Sequence, residues 1–154
     1  MMTVSDNFTP NVPNFERRYW NRFTNWMHWA CLLIVRDAKE RLKPWTGEGE
    51  GGVDTGRLRR SIAYEVVSSF IAEELTGKVG TSVNYARFIE FGTRRHLIPA
   101  FSNDPKWIGV KRWCERHGIQ TGWLEVGRAY PFLTPALRAK LPEIKRKLEE
   151  VARL

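Results

Sequence analysis

Several features that identify common classes of protein are missing from this sequence. The two cysteines, Cys31 and Cys114, lie far apart and belong to no paired motif, so no disulfide framework is indicated. The most apolar stretch, Trp26 to Val35, has ten residues, which is too short to span a bilayer. The first fifteen residues have no basic segment followed by an apolar core, so a signal peptide is not expected. These absences favour a globular protein of a reducing compartment.

Patterns that bind metals or carry out catalysis are equally scarce. The chain has three histidines, and neither His28 nor His96 has a plausible triad partner in sequence. Cys114 and His117 have a spacing that suits metal ligands, but no second pair is near, so zinc is not expected. The sequence therefore predicts no metal site, no cofactor and no catalytic residue.

One tripeptide matches a known catalytic turn. Asp54-Thr55-Gly56 has the sequence found around the catalytic aspartate of aspartic proteases, which need two carboxylates sharing one proton. This chain has a single such turn, so a protease would have to be a dimer. Three arginines within residues 57–60 would favour full ionisation of the pair and remove the shared proton. The protease is therefore a disfavoured alternative.

A structural interpretation of the same segment is preferred. Asp54 or Thr55 can accept a backbone N–H and cap a short helical turn. Gly56 permits a tight entry into that turn. Leu58 and Ile62 are four residues apart and can face a common core. We therefore interpret Asp54 as a structural residue.

The residues that are abundant indicate a single domain with large contact surfaces. A chain of 154 residues with 42% hydrophobic content is long enough for one domain with a real core. Seven tryptophans suggest extensive aromatic contacts, in the core or between subunits. The formal charge of +8, from 25 basic and 17 acidic residues, favours acidic partners such as nucleic acid or acidic protein surfaces.

The N-terminal half begins with a long helix. Residues 1 to about 13 resemble a flexible arm, and Asn14 can cap a helix that runs to about Leu42. Its stretch from Trp26 to Val35 is apolar nearly all round, and Trp26, Trp29 and Leu33 are the interface candidates of the helix. One small sheet cannot cover all of this apolar surface, so a neighbouring subunit would cover the rest. The alternative is that the helix is the central core helix of a monomer.

The remaining elements predict an α+β fold. Residues 61–68 and 74–82 alternate as two antiparallel strands, and a short helix with Tyr85 and Phe88 ends at Gly92. Residues 94–105 are predicted to be a loop, followed by a helix from Pro105 capped by Asp104, and then by a late strand within 123–130. A final helix, capped by Thr134 and started by Pro135, runs to about Arg153, with Pro142 kinking or splitting it. Its predicted apolar stripe consists of Leu137, Leu141, Ile144, Leu148 and Val151.

Three segments in this order resemble the gene-product-ten-like family of long-tailed double-stranded-DNA phages. The segments are "VDTGRLRRSI", "GKVGTSVNYARFIEFGT" and "PFLTPAL", the last leading into an amphipathic helix. The residues that carry the resemblance as a structural motif are Asp54, Thr55, Gly56, Leu58, Tyr85, Phe88, Gly92, Pro131, Phe132 and Pro135. Relative to shorter members, residues 94–122 are an insertion within one domain spanning 14–154.

The resemblance implies a structural protein of the virion and not an enzyme. It implies a tail-completion or head–tail joining protein that forms a ring of six or twelve copies at the neck, after assembly in the host cytoplasm. Partners would be other copies, other neck and tail proteins, and packaged DNA, with Arg94 and Arg95 as further interface candidates. The alternative is a basic nucleic-acid-binding protein that acts alone, although no known nucleic-acid-binding motif accompanies its charge.

Overall fold

The computed structural model describes residues 12–42, 56–72, 74–120 and 122–153, and it confirms the α+β class. The helices are α1 (Val12–Arg41), α2 (Arg57–Ser61), α3 (Ala86–Phe91), α4 (Ile108–Arg116), which follows a 3₁₀ turn (Pro105–Trp107), and α5 (Leu133–Ala152). The strands are β1 (Ile62–Ser69), β2 (Glu74–Thr81), β3 (His96–Pro99) and β4 (Trp123–Val126). They form two antiparallel hairpins, β1–β2 and β3–β4.

Helix α1 is the element on which the β1–β2 hairpin and α5 pack. The main core lies beside the C-terminal part of α1, where buried side chains from α1, α2, β1, α3 and α5 meet. Its members are Val35, Ala38, Leu42, Leu58, Ile62, Val83, Ala86, Phe132 and Ala136. Burial of these apolar side chains is the main force that joins segments distant in sequence.

The β1–β2 hairpin lies along α1 in a defined direction. Near the N-terminal part of α1, Trp20 Nε1 donates a hydrogen bond to Ser68 Oγ at 2.8 Å. Farther along, the ring of His28 shares a 3.4 Å hydrogen bond with the Tyr64 hydroxyl. Strand β1 therefore runs antiparallel to α1, with the connecting turn beside Trp20 and the open end of the hairpin beside the core.

Close packing of β2 on α1 depends on Gly77. A Cβ atom at this position would lie 2.6 Å from both Cys31 Sγ and Met27 Sδ of α1. A Cβ at Gly80, on the same strand, would meet no atom within 4 Å. A side chain at position 77 would therefore force the Cys31 and Met27 side chains, or the strand itself, to move.

We predict that Gly77→Ala lowers the free energy of unfolding by about 1–3 kcal/mol, because overpacking displaces neighbouring side chains. Gly80→Ala is the matched control, and we expect it to change stability by no more than about 0.5 kcal/mol. Urea denaturation followed by circular dichroism measures both. Equal stability of the two variants would contradict the proposed contact.

The second hairpin corrects the sequence prediction that residues 94–105 form a loop. Strand β3 lies within that segment and pairs with β4, with His96 opposite Val126 and Pro99 opposite Trp123. Ile98 points to the covered face of the hairpin and is buried. The alternation in "HLIP" is too short to identify a strand until its partner is known. The late strand predicted within 123–130 is confirmed as β4.

Three predictions about helix ends and faces are wrong. Helix α1 begins at Val12, so Asn14 lies inside its first turn and does not cap it. Helix α5 begins at Leu133, so Thr134 is a helical residue and not the cap. Of the two outcomes predicted for Pro142, a kink or a split, the split does not occur. Leu137 and Leu141 of the predicted apolar stripe are exposed, whereas Ile144 of the same stripe is buried as predicted, together with Ala136.

Other local predictions are confirmed. The short helix with Phe88 is α3, and Gly92 follows it with a φ of 72°. The Asp104 carboxylate accepts a 2.9 Å hydrogen bond from the Lys106 N–H and caps the turn that begins at Pro105. The antiparallel pairing of residues 62–69 with 74–81 is also confirmed, although Ser61 belongs to α2 and not to the strand.

Candidate functional site

The carboxylate of Glu90 joins α3 to the beginning of α5. Its Oε2 atom accepts hydrogen bonds from the N–H groups of Phe132 at 2.7 Å and Leu133 at 2.9 Å. Its Oε1 atom accepts one from the Thr134 N–H at 2.8 Å. The first N–H groups of a helix have no partner inside it, and they favour negative charge. Glu90 therefore caps α5 from a distant part of the sequence.

This environment changes the acidity of Glu90, whose side chain is only 6% exposed. Burial raises the pKa of the carboxyl group, whereas the Thr134 side chain and the three backbone N–H groups lower it. The hydrogen bonds prevail, so the pKa lies below its ordinary value. The carboxylate is consequently ionised at neutral pH and acts as a fixed structural anion.

The segment that leads into α5 is held against α3 by a further backbone contact. The N–H of Tyr130 donates a 2.7 Å hydrogen bond to the carbonyl of Ile89. Phe132 then fills the main core and is 1% exposed, whereas Pro131 is exposed and Pro135 is partly buried. The "PFLTP" segment is thus an anchor, and Phe132 is its buried side chain.

Two glycines permit a close crossing beside this anchor. A Cβ at Gly92 would lie 2.7 Å from the carbonyl oxygen of Gly127, and a Cβ at Gly127 would lie 2.9 Å from the carbonyl oxygen of Arg94. Both glycines have positive φ angles, 72° and 114°, which residues with a side chain rarely adopt. The Thr93 N–H donates to the Gly127 carbonyl at 2.9 Å. This crossing attaches the β3–β4 hairpin to the rest of the fold.

A cavity of about 640 Å³ opens between the end of β2, α3 and the beginning of α5. Glu90 lines it together with apolar side chains and with the polar side chains of Thr81, Ser82, Asn84 and Thr134. The apolar members of the lining are Val83, Ala86, Phe91, Phe132 and Leu133. Arg87 also lines the cavity and is exposed. The volume is in the range of about 300–1,000 Å³ that is typical of small-molecule pockets.

The aromatic side chains of α3 face outwards. Tyr85, Phe88 and Phe91 are exposed, whereas Ala86 and Glu90 are buried. The guanidinium of Arg87 lies 4.6 Å from the centre of the Phe88 ring, which suits a cation–π contact. The motif residues Tyr85 and Phe88 are therefore placed on a surface, where they are available to a partner.

A second apolar surface covers the outer face of the β3–β4 hairpin. Leu97 and Trp123 project from the same face and are exposed. The opposite face, with Ile98, is covered by the rest of the chain. Adjacent exposed apolar side chains of this kind are typical of a surface that contacts another protein.

Arg95 belongs to a basic cleft at the base of the second hairpin, and Arg94, which precedes it in the chain, is exposed. Arg95, Arg128 and Tyr130 line a cavity of about 280 Å³ there, and the Arg128 guanidinium lies 5.7 Å from the centre of the Tyr130 ring. The acid in the lining, Glu125, lies 3.8 Å from Arg95, and both side chains are exposed. An exposed pair contributes little stability and leaves the cleft accessible to an anionic partner.

The helix candidates Trp26, Trp29 and Leu33 are each partly covered by this chain. Trp26 Nε1 donates a 3.2 Å hydrogen bond to the Ile144 carbonyl of α5. Trp29 and Leu33 are also half-buried, but Leu32 is 52% exposed. The hairpin and α5 therefore cover most of the apolar circumference of α1, and its remaining apolar exposure includes Leu32.

The Asp54-Thr55-Gly56 segment is described only from Gly56 onwards, so Asp54 and Thr55 lie outside the described residues. Gly56 occupies the N-terminal cap position of α2 in a left-handed conformation with φ 71°. Leu58 is buried in the main core, as the structural interpretation predicts. The short helical turn predicted after this segment is α2.

Sequence reasoning did not identify Glu90, which organises the site. Its spacing of four from Ala86 gives a signal, because both residues lie on one helical face. From the sequence alone, however, the large aromatic residues 85, 88 and 91 suggest that their own face of the helix is the buried one, and this hides the role of Glu90. Among the described residues, no three His, Cys, Asp or Glu side chains are grouped to hold a metal ion. Within the same ranges, no helix is long and apolar enough to cross a membrane.

Comparison with known families identifies one related segment. Residues 26–92 match the family described as "Bacteriophage HK97-gp10, putative tail-component". The match extends from the middle of α1 through the β1–β2 hairpin to the end of α3, and it includes Glu90. The β3–β4 hairpin and α5 lie beyond it. No curated protein and no solved structure matches the chain.

Proposed function

We propose that this chain, whose residues 26–92 belong to the HK97 gp10-like family of phage tail components, is a tail-completion or head–tail joining protein that forms a ring at the virion neck. The family match is the observation that carries the proposal. A tail component is a structural part of the virion, which implies a non-enzymatic role and a virion location. Its partners would be other tail and neck proteins and further copies of itself.

The distribution of exposed apolar side chains supports a role in assembly. These side chains occur on several separate elements: the β1–β2 turn, the outer face of α3, the outer face of β3–β4 and the exposed face of α5. A protein that contacts copies of itself and also other neck proteins needs more than one such surface. Six or twelve copies would agree with the sixfold symmetry that the family resemblance implies for the tail.

The basic cleft supports contact with an acidic partner, such as an acidic neck protein or packaged DNA. Residues 93–135 contain seven basic and three acidic side chains. Complementary charge accelerates encounter and selects partners. Such a cleft could serve on the outer rim of a ring around a DNA passage or on the inner wall of that ring.

We predict that the double substitution Arg94→Glu and Arg95→Glu reduces joining of heads to tails by about tenfold or more, because it places like charges opposite the acidic partner. The matched control is Lys145→Glu with Arg146→Glu, which reverses two exposed charges on α5. The measurement is infectious titre after complementation in cells, with free heads and tails counted by electron microscopy. Full titre of the Arg94 and Arg95 variant would contradict the assignment.

The proposed function is tested by imaging intact virions of the phage that carries this chain. We expect density for a closed ring of this fold between head and tail. Absence of the chain from purified virions would overturn the proposal. The second candidate, a nucleic-acid-binding protein that acts alone, is favoured only by the basic cleft. It predicts a monomer whose DNA affinity falls steeply with salt concentration.

A further inference from the structure

The turn between β1 and β2 presents an apolar projection. Ile71 is 96% exposed, and Phe70 next to it is also exposed. The Phe70 ring packs edge-on against Trp20 of α1, with ring centres 5.9 Å apart. This contact and the hydrogen bond from Trp20 to Ser68 attach the turn to the helix. The turn therefore holds a large aliphatic side chain in water at a defined place.

The cavity between β2, α3 and α5 is a receptor of suitable chemistry. Its wall combines apolar side chains with polar ones from β2, the following loop and α5, and its volume of about 640 Å³ is large enough for an aliphatic side chain. Arg87 contributes a positive charge to the lining. The carboxylate of Glu90 is already bonded to three backbone N–H groups, so its charge is compensated within the chain.

The turn cannot reach the cavity of its own chain. Strand β1 has eight residues, and its first residue, Ile62, pairs with Thr81 at the cavity end. At about 3.3 Å per residue, the turn lies roughly 23 Å from that end. The contacts along α1 agree, because Trp20 lies beside the turn and Ala38 belongs to the core beneath the cavity. Projection and receptor are thus at opposite ends of one molecule.

Charge also distinguishes the two surfaces. Glu74, the first residue of β2 after the turn, is exposed and acidic in a chain of net charge +8. The charged residue at the exposed side of the cavity is Arg87. An acidic, apolar turn is therefore complementary to an apolar cavity with a basic rim.

We propose that the β1–β2 turn of one copy, with Ile71 as its anchor, inserts into the cavity beside α3 of the next copy. The two surfaces are different and lie at opposite ends, so the contact is heterologous and repeats from copy to copy. Such a series closes into a ring when the rotation per subunit divides a full turn. The inference rests on the proposed ring and names the surfaces that form it.

The first experiment replaces the anchor in the full-length chain. Ile71→Glu should weaken self-association by about tenfold or more, since an apolar anchor at the centre of an interface carries much of its binding energy. Ile71→Val keeps an apolar anchor and should associate as the native chain does. Because Ile71 is exposed in the single copy, circular dichroism should show both variants folded. Sedimentation velocity over a concentration series measures the association.

The second experiment tests the direction of the contact. Ile71→Cys and Asn84→Cys are prepared as separate chains, mixed and oxidised; Asn84 lines the cavity and is exposed. A disulfide-linked heterodimer is expected with this pair, and none with Ile71→Cys mixed with Lys145→Cys. The double variant Ile71→Cys with Asn84→Cys should give a ladder of covalent oligomers.

The outcomes separate this inference from the proposed function. A ring in the virion neck, with unchanged association of Ile71→Glu and no Asn84 crosslink, would overturn the inference and leave the function standing. Absence of the chain from virions would overturn the function. A chain that does not self-associate in solution and occurs as a single copy in the neck would contradict both the contact and the ring.

Discussion

Replacing Glu90 with alanine is expected to lower the free energy of unfolding by about 3 kcal/mol. The substitution removes three hydrogen bonds from an ionised acceptor, which are stronger than those between neutral groups. It also leaves the N–H groups at the start of α5 without their acceptor. The adjoining cavity would admit water to these groups, and this limits the loss. Urea denaturation at neutral pH measures the change.

Two further substitutions isolate the role of the Glu90 charge. Glu90→Gln keeps the shape and one acceptor oxygen, so its loss should be intermediate between alanine and the native residue. Glu115→Ala removes an exposed glutamate of α4 and should change stability by no more than about 0.5 kcal/mol. If Glu90→Ala and Glu115→Ala are equally stable, the cap across the chain contributes nothing.

Stability should also depend on pH through Glu90. The pKa of this carboxyl group is lower in the folded chain than its ordinary value of 4.5. The unfolded state therefore binds the proton more readily, and the contribution of Glu90 to stability is complete above about pH 4.5. It is lost as the pH falls through the folded pKa. The difference in unfolding free energy between native chain and Glu90→Gln should narrow on acidification below this value, and a constant difference would contradict the mechanism.

Phe132→Ala is expected to lower the free energy of unfolding by about 3–5 kcal/mol, the typical range for a buried phenylalanine. Phe132 is 1% exposed and packs among side chains from α1, α3 and α5. Its removal would leave a void at the point where the C-terminal helix joins the core. Loss of the Phe132 side chain should therefore weaken the packing of α5 on the rest of the fold. Denaturant unfolding and hydrogen exchange of α5 measure this effect.

Phe91→Ala is the matched control for Phe132→Ala. The same side chain is removed, but Phe91 is 76% exposed, so most of its surface is in water in the folded chain as well as in the unfolded one. Its removal therefore costs little burial energy. We expect a change within about 0.5 kcal/mol. Losses of similar size at both positions would show that the assigned core does not surround Phe132.

Local elements were largely predictable because their signals are local. Period-two alternation identifies β1 and β2, and the antiparallel hairpin follows from the short connection between them. Gly92 and Asp104 have the residue types that end and begin helical segments, and the structure places both in those positions. The family resemblance at residues 53–93 overlaps the segment 26–92 that matches phage tail components.

Features that depend on contacts between distant segments were not predictable, because the signals in the sequence are local. Strand β3 has four residues, and it becomes a strand because β4 supplies its hydrogen-bond partners from beyond α4. The cap of α5 comes from Glu90, and no signal near residue 133 indicates a hydrogen-bond acceptor 43 residues earlier. Part of the apolar face of α5 was predicted wrongly, since exposed Leu137 is as apolar as the residues that face the core.

The sequence by itself determined the α+β class, the long first helix, the first hairpin and the resemblance to phage tail components, because hydrophobic period, capping residues and short motifs act over a few neighbouring positions. Only the tertiary structure decided that Glu90 caps α5, that Phe132 anchors this helix in the core, and that Ile71 and the cavity beside α3 lie at opposite ends of the molecule. These features depend on packing between segments whose order along the chain does not reveal their distance in space. Burial and hydrogen bonding select among the alternatives that a linear pattern leaves equal.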